Sequence, residues 1–159
     1  MKKFLKFAIF AAVIVVLDQI SKYLTVTNID LYETIPFLPG VLSLTYVHNL
    51  GAAWSSFEGQ IWLFALVFVL FTALILWEYF KKPMAFTELE RWLIAAVYGG
   101  GLANMIDRIR LGYVVDMIKT DFMVFPVFNV ADCFISCGSI LLMLHLIFFN
   151  KPFWKDEKK

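Results

Sequence analysis

The stretch from Gly99 to Phe134 carries the residue types of this chain that could do chemistry. Two carboxylates in it, Asp116 and Asp132, stand among apolar neighbours, and the segments on both sides are apolar enough to lie in a bilayer. Ionisable groups at membrane depth are energetically unfavourable, so they are functional candidates by default. We therefore predict that the two carboxylates form a hydrolytic centre near the outer face of a membrane. The other polar candidates in the stretch are Asn104, Asp107, Arg108 and Asn129.

A pair of carboxylates in one site suits the hydrolysis of an amide bond. Two such groups cannot both ionise without strong repulsion, so one pKa rises and the pair holds a single proton near neutral pH. The ionised partner can take a proton from water, and the neutral partner can protonate or hydrogen-bond the scissile carbonyl oxygen. The pair would titrate as a unit, so its acid and base are not assigned separately.

The same residues also have structural interpretations. Asn129 and Asp132 have the spacing of a helix capping box, in which each side chain binds the other residue's backbone amide. Asp116 could pair with Lys119, one turn later, if that segment is helical. Spacing alone leaves both interpretations open.

Other polar residues are expected to be structural. His48, in a predicted turn, and His145, deep in the last helix, are expected to be satisfied histidines. Cys133 and Cys137 lie one helical turn apart, which is neither a disulfide framework nor a metal-ligand spacing, so we expect small core residues. The sequence predicts no metal site and no cofactor.

Composition places the chain in a membrane. Of its 159 residues, 61% are hydrophobic and only 17% are charged, whereas a soluble domain is roughly half apolar and about a quarter charged. The mean hydropathy is +0.76. A net charge of +1 gives no strong global field, so nucleic acid is not an expected partner.

The hydrophobic pattern predicts a membrane all-α fold with four transmembrane helices in a single domain, 1–159. Each apolar segment can cross a hydrocarbon core of roughly 30 Å. The predicted spans are about 4–24, 61–80, 89–107 and 129–149. The first is interpreted as a retained helix, because no small-x-small cleavage site ends it. Asp18 and Lys22 share one face of it, either as an interior ion pair with Lys22 snorkelling to the interface or as part of the site.

The segments between the spans, about 25–60 and 108–128, are expected outside the cytoplasm. Val41 to Val47 has a strand signal and predicts a small sheet or hairpin on the membrane surface, with Tyr46, Trp54 and Phe57 at the interface. The segment 108–128 is too short to span and could form a short helix or strand at the interface. Gly99, Gly100 and Gly101 give the third helix a small-residue face for close helix packing.

Basic residues predict the orientation. Ten Lys and Arg residues lie in the N-terminus, in the connection at 81–91 and in the tail after residue 150, against four on the opposite side. The side richer in Lys and Arg is cytoplasmic. Both termini should therefore be cytoplasmic, and Asp116 and Asp132 should face outward.

Five blocks of the sequence, in order, resemble the lipoprotein signal peptidases, the type II signal peptidases of bacteria. They are Asp18–Lys22, Asn49–Trp54, Gly99–Arg108, Val114–Ile118 and Phe128–Asp132. Together with four predicted spans they cover nearly the whole chain. Three residues depart from the family pattern: Trp54 in place of phenylalanine, Ser21 in place of threonine and Ala103 in place of glycine.

The resemblance implies a multi-pass aspartyl endopeptidase of the bacterial inner or plasma membrane. Such enzymes cut the signal peptide from a diacylglyceryl-modified prolipoprotein just before the lipid-modified cysteine. The family's catalytic aspartates match Asp116 and Asp132. The matching substrate-binding or supporting residues are Asn49, Gly51, Asn104, Asp107, Arg108, Asn129, Asp18 and Lys22. The expected partners are this precursor and membrane lipid, and one chain is expected to act as a monomer.

Two alternatives follow from the carboxylates alone. The chain could be a proton-coupled transporter or channel subunit, since membrane carboxylates also relay protons. It could also be a non-catalytic assembly or lipid-binding protein, in which case Asp116→Asn would leave function intact. If the chain is a peptidase, the segments around 41–57 and around Tyr113 could clamp the substrate from above.

Overall fold

The computed structural model describes residues 2–51, 59–81 and 84–150. This part of the chain contains four helices and three strands. In chain order they are α1 (Lys2–Asn28), β1 (Thr34–Leu38), β2 (Leu42–Asn49), α2 (Ile61–Phe80), α3 (Glu88–Leu111), β3 (Val114–Thr120) and α4 (Val130–Phe148). The predicted interfacial residues Trp54 and Phe57 lie outside the described residues.

Three of the helices, α1, α2 and α4, are long and apolar enough to cross a membrane, judged by length and composition. The remaining helix, α3, does not meet that criterion, because charged residues at both of its ends lower its mean hydropathy. Only the stretch from Trp92 to Ile106 is free of charge, which is shorter than the roughly 20 apolar residues of a typical span. The fold is therefore three apolar helices, a fourth helix of mixed character and a small sheet.

The sheet joins two segments that the sequence treats separately. Its strand order is β1-β2-β3, with both pairs antiparallel. The segment 108–128, which the sequence left as a short helix or a strand, contains the strand β3. The pairing of Asp116 with Lys119 required a helix there, so that alternative is wrong. His48 and Asn49 also belong to β2, whereas the sequence predicted a turn there. Apolar residues of the sheet pack beneath the end of α1: Ile29, Tyr46, Val115 and Met117 form one buried cluster.

The small-residue face of α3 was predicted to allow close helix packing, and Gly99 and Gly100 do so, whereas Gly101 does not touch a neighbouring backbone. A Cβ on Gly99 would lie 2.9 Å from the backbone oxygen of Ala11 in α1. One on Gly100 would lie 2.6 Å from the backbone oxygen of Ala131 in α4. Real Cβ atoms essentially never approach so closely, so α3 touches both helices through bare backbone.

A buried carboxylate, Glu90, joins α3 to α4 at the end of the bundle away from the sheet. Glu90 accepts hydrogen bonds from the Thr87 backbone amide at 2.6 Å and from Asn150 at 2.7 Å, and its other oxygen lies 2.8 Å from Nδ1 of His145. His145 is thus a satisfied histidine, as expected. The pair Glu78 and Arg91 joins α2 to α3 nearby.

At the same end of the bundle, α2 packs against α1 and α3 through apolar side chains. Phe7, Ile75 and Ala95 form a buried cluster with aromatic neighbours around it. Toward its other end α2 separates from α3 and α4, and a large cavity fills the gap.

Candidate active site

Asp116 is a buried carboxylate in the middle of β3, with 1% of its surface exposed. The sheet register sets it opposite Val47 and places Asn49 opposite Val114. From there Asn49 Nδ2 donates to Asp116 Oδ2 at 2.8 Å. The other oxygen, Oδ1, accepts from Asn129 Nδ2 at 2.6 Å. Both oxygens of Asp116 therefore have fixed donors.

Asp132 lies in the first turn of α4, where it takes part in the predicted capping box and also lines the cavity. It completes a capping box: Asn129 Oδ1 accepts from the Asp132 backbone amide at 2.8 Å, and Asp132 Oδ2 accepts from the Asn129 amide at 3.1 Å. Its remaining oxygen, Oδ1, accepts from Asn104 Nδ2 at 2.8 Å. The cap aims the carboxylate at the cavity instead of competing with that placement.

Asn129 connects the two carboxylates. It is fully buried, caps Asp132 through its backbone and Oδ1, and donates to Asp116 through Nδ2. The same Nδ2 lies 3.1 Å from Asn104 Oδ1. One residue thus sets the spacing of the pair.

Burial raises the pKa of Asp116 from 3.8 to about 7, and the neighbouring charge of Asp132 adds to the rise. Hydrogen bonds from Asn49 and Asn129, and the more distant charge of Lys22, oppose it. Near neutral pH Asp116 can therefore hold a proton.

A buried ionic cluster lies behind the pair. Lys22 Nζ is 2.8 Å from Asp18 Oδ2, 2.8 Å from Asp107 Oδ2 and 2.9 Å from Asn104 Oδ1. The predicted ion pair with Asp18 is present. Lys22 is 3% exposed, however, so the alternative in which it snorkels to the interface is wrong. Two carboxylates and an amide give its ammonium enough partners inside the bundle.

The ionic cluster also grips the backbone of both carboxylate-bearing segments. Asp18 Oδ1 accepts from the amide of Ala131 at 2.8 Å, beside Asp132 in the chain. Asp107 Oδ2 accepts from the amide of Val115 at 3.2 Å, beside Asp116. Sequence reasoning missed Gln19, whose Nε2 donates to Asp107 Oδ1 at 2.8 Å. Its position three residues before Lys22, on the same helix face, was the available signal.

Arg108 lines the cavity and does not pair with Asp107, which binds Lys22. Its Nη2 donates to the carbonyl of Gly51 at 2.7 Å, and its guanidinium lies over the ring of Phe64 at 4.2 Å. The amide of Gly51 donates to Asn49 Oδ1 at 2.9 Å. Arg108 therefore connects α3 to the end of β2, where it fixes the side chain that holds Asp116.

A cavity of about 1150 Å³ opens in front of the pair. Asp116, Asp132, Asn49 and Arg108 lie at its polar end, and the rest of the wall is mostly apolar. Its apolar lining includes Phe64, Phe68, Val97, Met105, Phe128 and Ile135. This shape suits a substrate with a polar bond to be cut and a hydrocarbon part.

Two cysteines line the same cavity, contrary to the sequence expectation. Cys133 and Cys137 are exposed, since the α4 face that carries them borders the cavity. His48 is held as expected: Nε2 lies 2.8 Å from the Tyr46 hydroxyl, and its ring stacks on Tyr113 at 3.6 Å.

Within residues 2–51, 59–81 and 84–150, no group of three or more His, Cys, Asp or Glu side chains could hold a metal ion.

Comparison with known sequences gives one consistent family. The model of the signal peptidase (SPase) II family matches residues 10–148. A lipoprotein signal peptidase of Enterococcus faecalis (strain ATCC 700802 / V583) is 46% identical over 144 residues, which cover 89% of this chain and 87% of that protein. One from Streptococcus pyogenes serotype M1 is 41% identical over 160 residues, covering 99% and 97%.

Two solved structures of bacterial membrane enzymes have a similar fold. A bacterial membrane enzyme determined by the in meso method at 2.3 Å resolution superposes with a TM-score of 0.81 at 28% identity, covering 97% of this chain and 93% of that one. A second, at 1.9 Å resolution, gives 0.78 at 30% identity, covering 91% and 94%.

Proposed function

This chain belongs to the signal peptidase II family, and from that membership we propose that Asp116 and Asp132 are the catalytic pair, or dyad, of a membrane aspartyl peptidase. The family is one of proteases that act on lipoprotein precursors. The single observation that supports the pair most is that both carboxylates line one cavity and are bridged by Asn129.

The proposed reaction uses the shared proton. The ionised carboxylate takes a proton from a water molecule as that water attacks the scissile carbonyl carbon. The protonated carboxylate donates to the carbonyl oxygen, so charge does not accumulate there. When the tetrahedral intermediate collapses, the C–N bond breaks and the leaving amine takes up a proton from the pair. No covalent enzyme intermediate is needed.

The supporting residues divide into two groups in this proposal. Asn49, Asn104 and Asn129 hold the carboxylates by direct hydrogen bonds at 2.6 to 2.8 Å. The residues that hold the segments behind them are Asp18, Lys22, Gly51, Asp107 and Arg108. A preorganised pair of this kind changes little when a substrate arrives, which favours the transition state over the ground state.

The proposed substrate is a diacylglyceryl-modified prolipoprotein, cut immediately before the lipid-modified cysteine. Its scissile bond would meet the polar end of the cavity while its hydrocarbon lies along the apolar walls. Binding energy from the remote chains can then position the bond. The proton-coupled transporter is not favoured, because the family and the relatives are peptidases.

We further propose one domain over residues 1–159 that works as a monomer, with four membrane crossings and both termini in the cytoplasm. The excess of basic residues at the termini and around 81–91 supports this orientation. The active site would then face outward. Both proposed catalytic residues and their supports come from one chain, so the site needs no second copy.

The first test is cleavage of a diacylglyceryl-modified prolipoprotein by the purified chain in detergent. Asp116→Asn and Asp132→Asn should each lower kcat by at least about a thousandfold, since removing one member of a catalytic unit removes most of its effect. Asp121→Asn is the matched control, because Asp121 is an exposed carboxylate that directly follows β3, accepts a hydrogen bond from Ser43 and does not line the cavity. It should cut like the wild type. Full activity in both dyad variants, with unchanged unfolding temperatures, would show that the carboxylates are structural.

A further inference from the structure

The cavity extends well below the carboxylates. On α3 its lining runs from Asn104 down to Val97, about 10 Å along the helix axis at 1.5 Å per residue. On α2 it runs from Leu63 to Phe71, about 12 Å by the same rise. The polar groups of the site lie at one end, so the deep part is an apolar chamber bounded by α2, α3 and α4.

Hydrocarbon is the occupant that fits this chamber. A peptide bond at the dyad must reach the carboxylates in an extended form, and extended backbone deeper in the cavity would need hydrogen-bond partners. The deep walls supply hardly any, because they consist of side chains such as Val67, Phe68, Phe71, Val97 and Ile135. An acyl chain needs none.

One glycine in the chamber wall has no packing reason to be glycine. Gly99 and Gly100 are required where α3 touches the backbones of α1 and α4. At Gly101, by contrast, an added Cβ meets only the ring of Phe68, at 3.5 and 3.6 Å, which is ordinary van der Waals contact. A methyl group would fill the gap to Phe68, and anything larger would push that ring aside or project into the cavity next to it.

We propose that Gly101, opposite Phe68, is a specificity-determining residue that keeps the chamber open for an acyl chain of the lipid-modified substrate. This inference rests on the proposed function and names the part of the substrate that the deep cavity takes. Gly101 touches no reacting atom, so it acts on how long a chain can be seated, not on the chemical step.

The test compares substrates of one peptide sequence whose diacylglyceryl groups carry acetyl or octanoyl chains. Gly101→Leu should raise KM for the octanoyl substrate by about tenfold or more, the scale at which filling an apolar pocket discriminates between ligands. The acetyl substrate should keep a KM within about twofold, and kcat should change little for both, because the dyad is untouched. Gly101→Ala should give a smaller shift in the same direction.

Two further variants make the test specific. Phe68→Ala combined with Gly101→Leu should restore the KM of the octanoyl substrate, since it returns the lost volume. Ala73→Leu is the matched control for added bulk, because Ala73 lies on an exposed face of α2 away from the cavity lining. A KM that rises equally for both chain lengths, or no change in either, would overturn the proposal.

A measurement without turnover separates this inference from the proposed function. Uncut octanoyl substrate with a photoreactive diazirine at the chain end is bound to Asp116→Asn enzyme and irradiated. Cross-links within 67–71 or 97–101 are expected, and Gly101→Leu in the same background should remove them. Cross-links confined to other surfaces would refute the acyl chamber. A wild type that cuts neither substrate would refute the proposed function, whereas equal cutting with no chain-length effect would refute only the role of Gly101.

Discussion

Asn129 shows at the level of a single residue why spacing could not separate structure from chemistry. The same side chain caps α4 and donates to Asp116, so the capping box is present and the proposed catalytic pair uses the same side chain. The sequence predicted each of them and could not predict that they share one amide. Gln19 went unnoticed because its partner, Asp107, is 88 residues away.

The raised pKa of Asp116 predicts how activity should depend on pH. The proposed mechanism needs one proton on the pair, and with a pKa of about 7 that proton is present below neutrality and lost above it. The rate should therefore fall as pH rises through about 7, toward a tenfold loss for each further unit. A pH profile of kcat/KM for wild type in detergent checks this. A rate that is flat from pH 6 to 9 would contradict a protonated Asp116.

At the level of elements, the apolar runs predicted the helices and the strand signal at Val41–Val47 predicted β2, whereas β3 was left undecided. The four helices begin and end within about five residues of the predicted spans, because long hydrophobic segments are unambiguous. β3 is only seven residues long, and its pairing with β2 joins positions more than 60 residues apart. No local pattern encodes that pairing, so the sequence left the position of Asp116 in a helix or a strand undecided.

The contact of α3 with α4 gives a prediction about helix packing. Gly100→Ala should place a methyl group within 2.6 Å of the Ala131 backbone oxygen and push away the turn that carries Asp132. We expect a loss of about 1–3 kcal/mol in stability, typical of overpacking, together with a loss of cleavage. The measurement is thermal unfolding in detergent alongside the cleavage assay.

The matched comparison for that prediction is Gly101→Ala. Its methyl group meets only the Phe68 ring at 3.5 Å, and alanine is a better helix former than glycine. Its unfolding temperature should equal or exceed that of the wild type. Equal unfolding temperatures for Gly100→Ala and wild type would show that α4 yields easily at this contact.

For the whole molecule, composition predicted a membrane protein and charge predicted its orientation. The helix count is less simple, because charged residues at both ends of α3 leave a short apolar centre. The ionic cluster and the dyad hold α3 against α1, α4 and the sheet from within, which is how a helix of mixed character can stay in the bundle.

The orientation can be tested with single cysteines in a background where Cys133 and Cys137 are serine. Lys119→Cys, at an exposed site of β3, should react with a membrane-impermeant maleimide on intact protoplasts. Lys81→Cys, at the other end of the bundle, should react only after lysis, because that connection is predicted to be cytoplasmic. The opposite labelling pattern would reverse the topology and turn the dyad inward.

The one-sided attachment of α2 has a mechanical consequence. The cluster around Ile75 and the Glu78–Arg91 pair hold one end of the helix, and Phe68 stacks on Tyr98 of α3 with ring centroids 5.1 Å apart. One turn nearer the start of α2, Phe64 contacts α3 through the guanidinium of Arg108. We expect that loss of this contact would let the first turn of α2 move away from α3 and widen the cavity there. The hydrogen bonds that hold the two carboxylates do not involve α2, so they would stay intact.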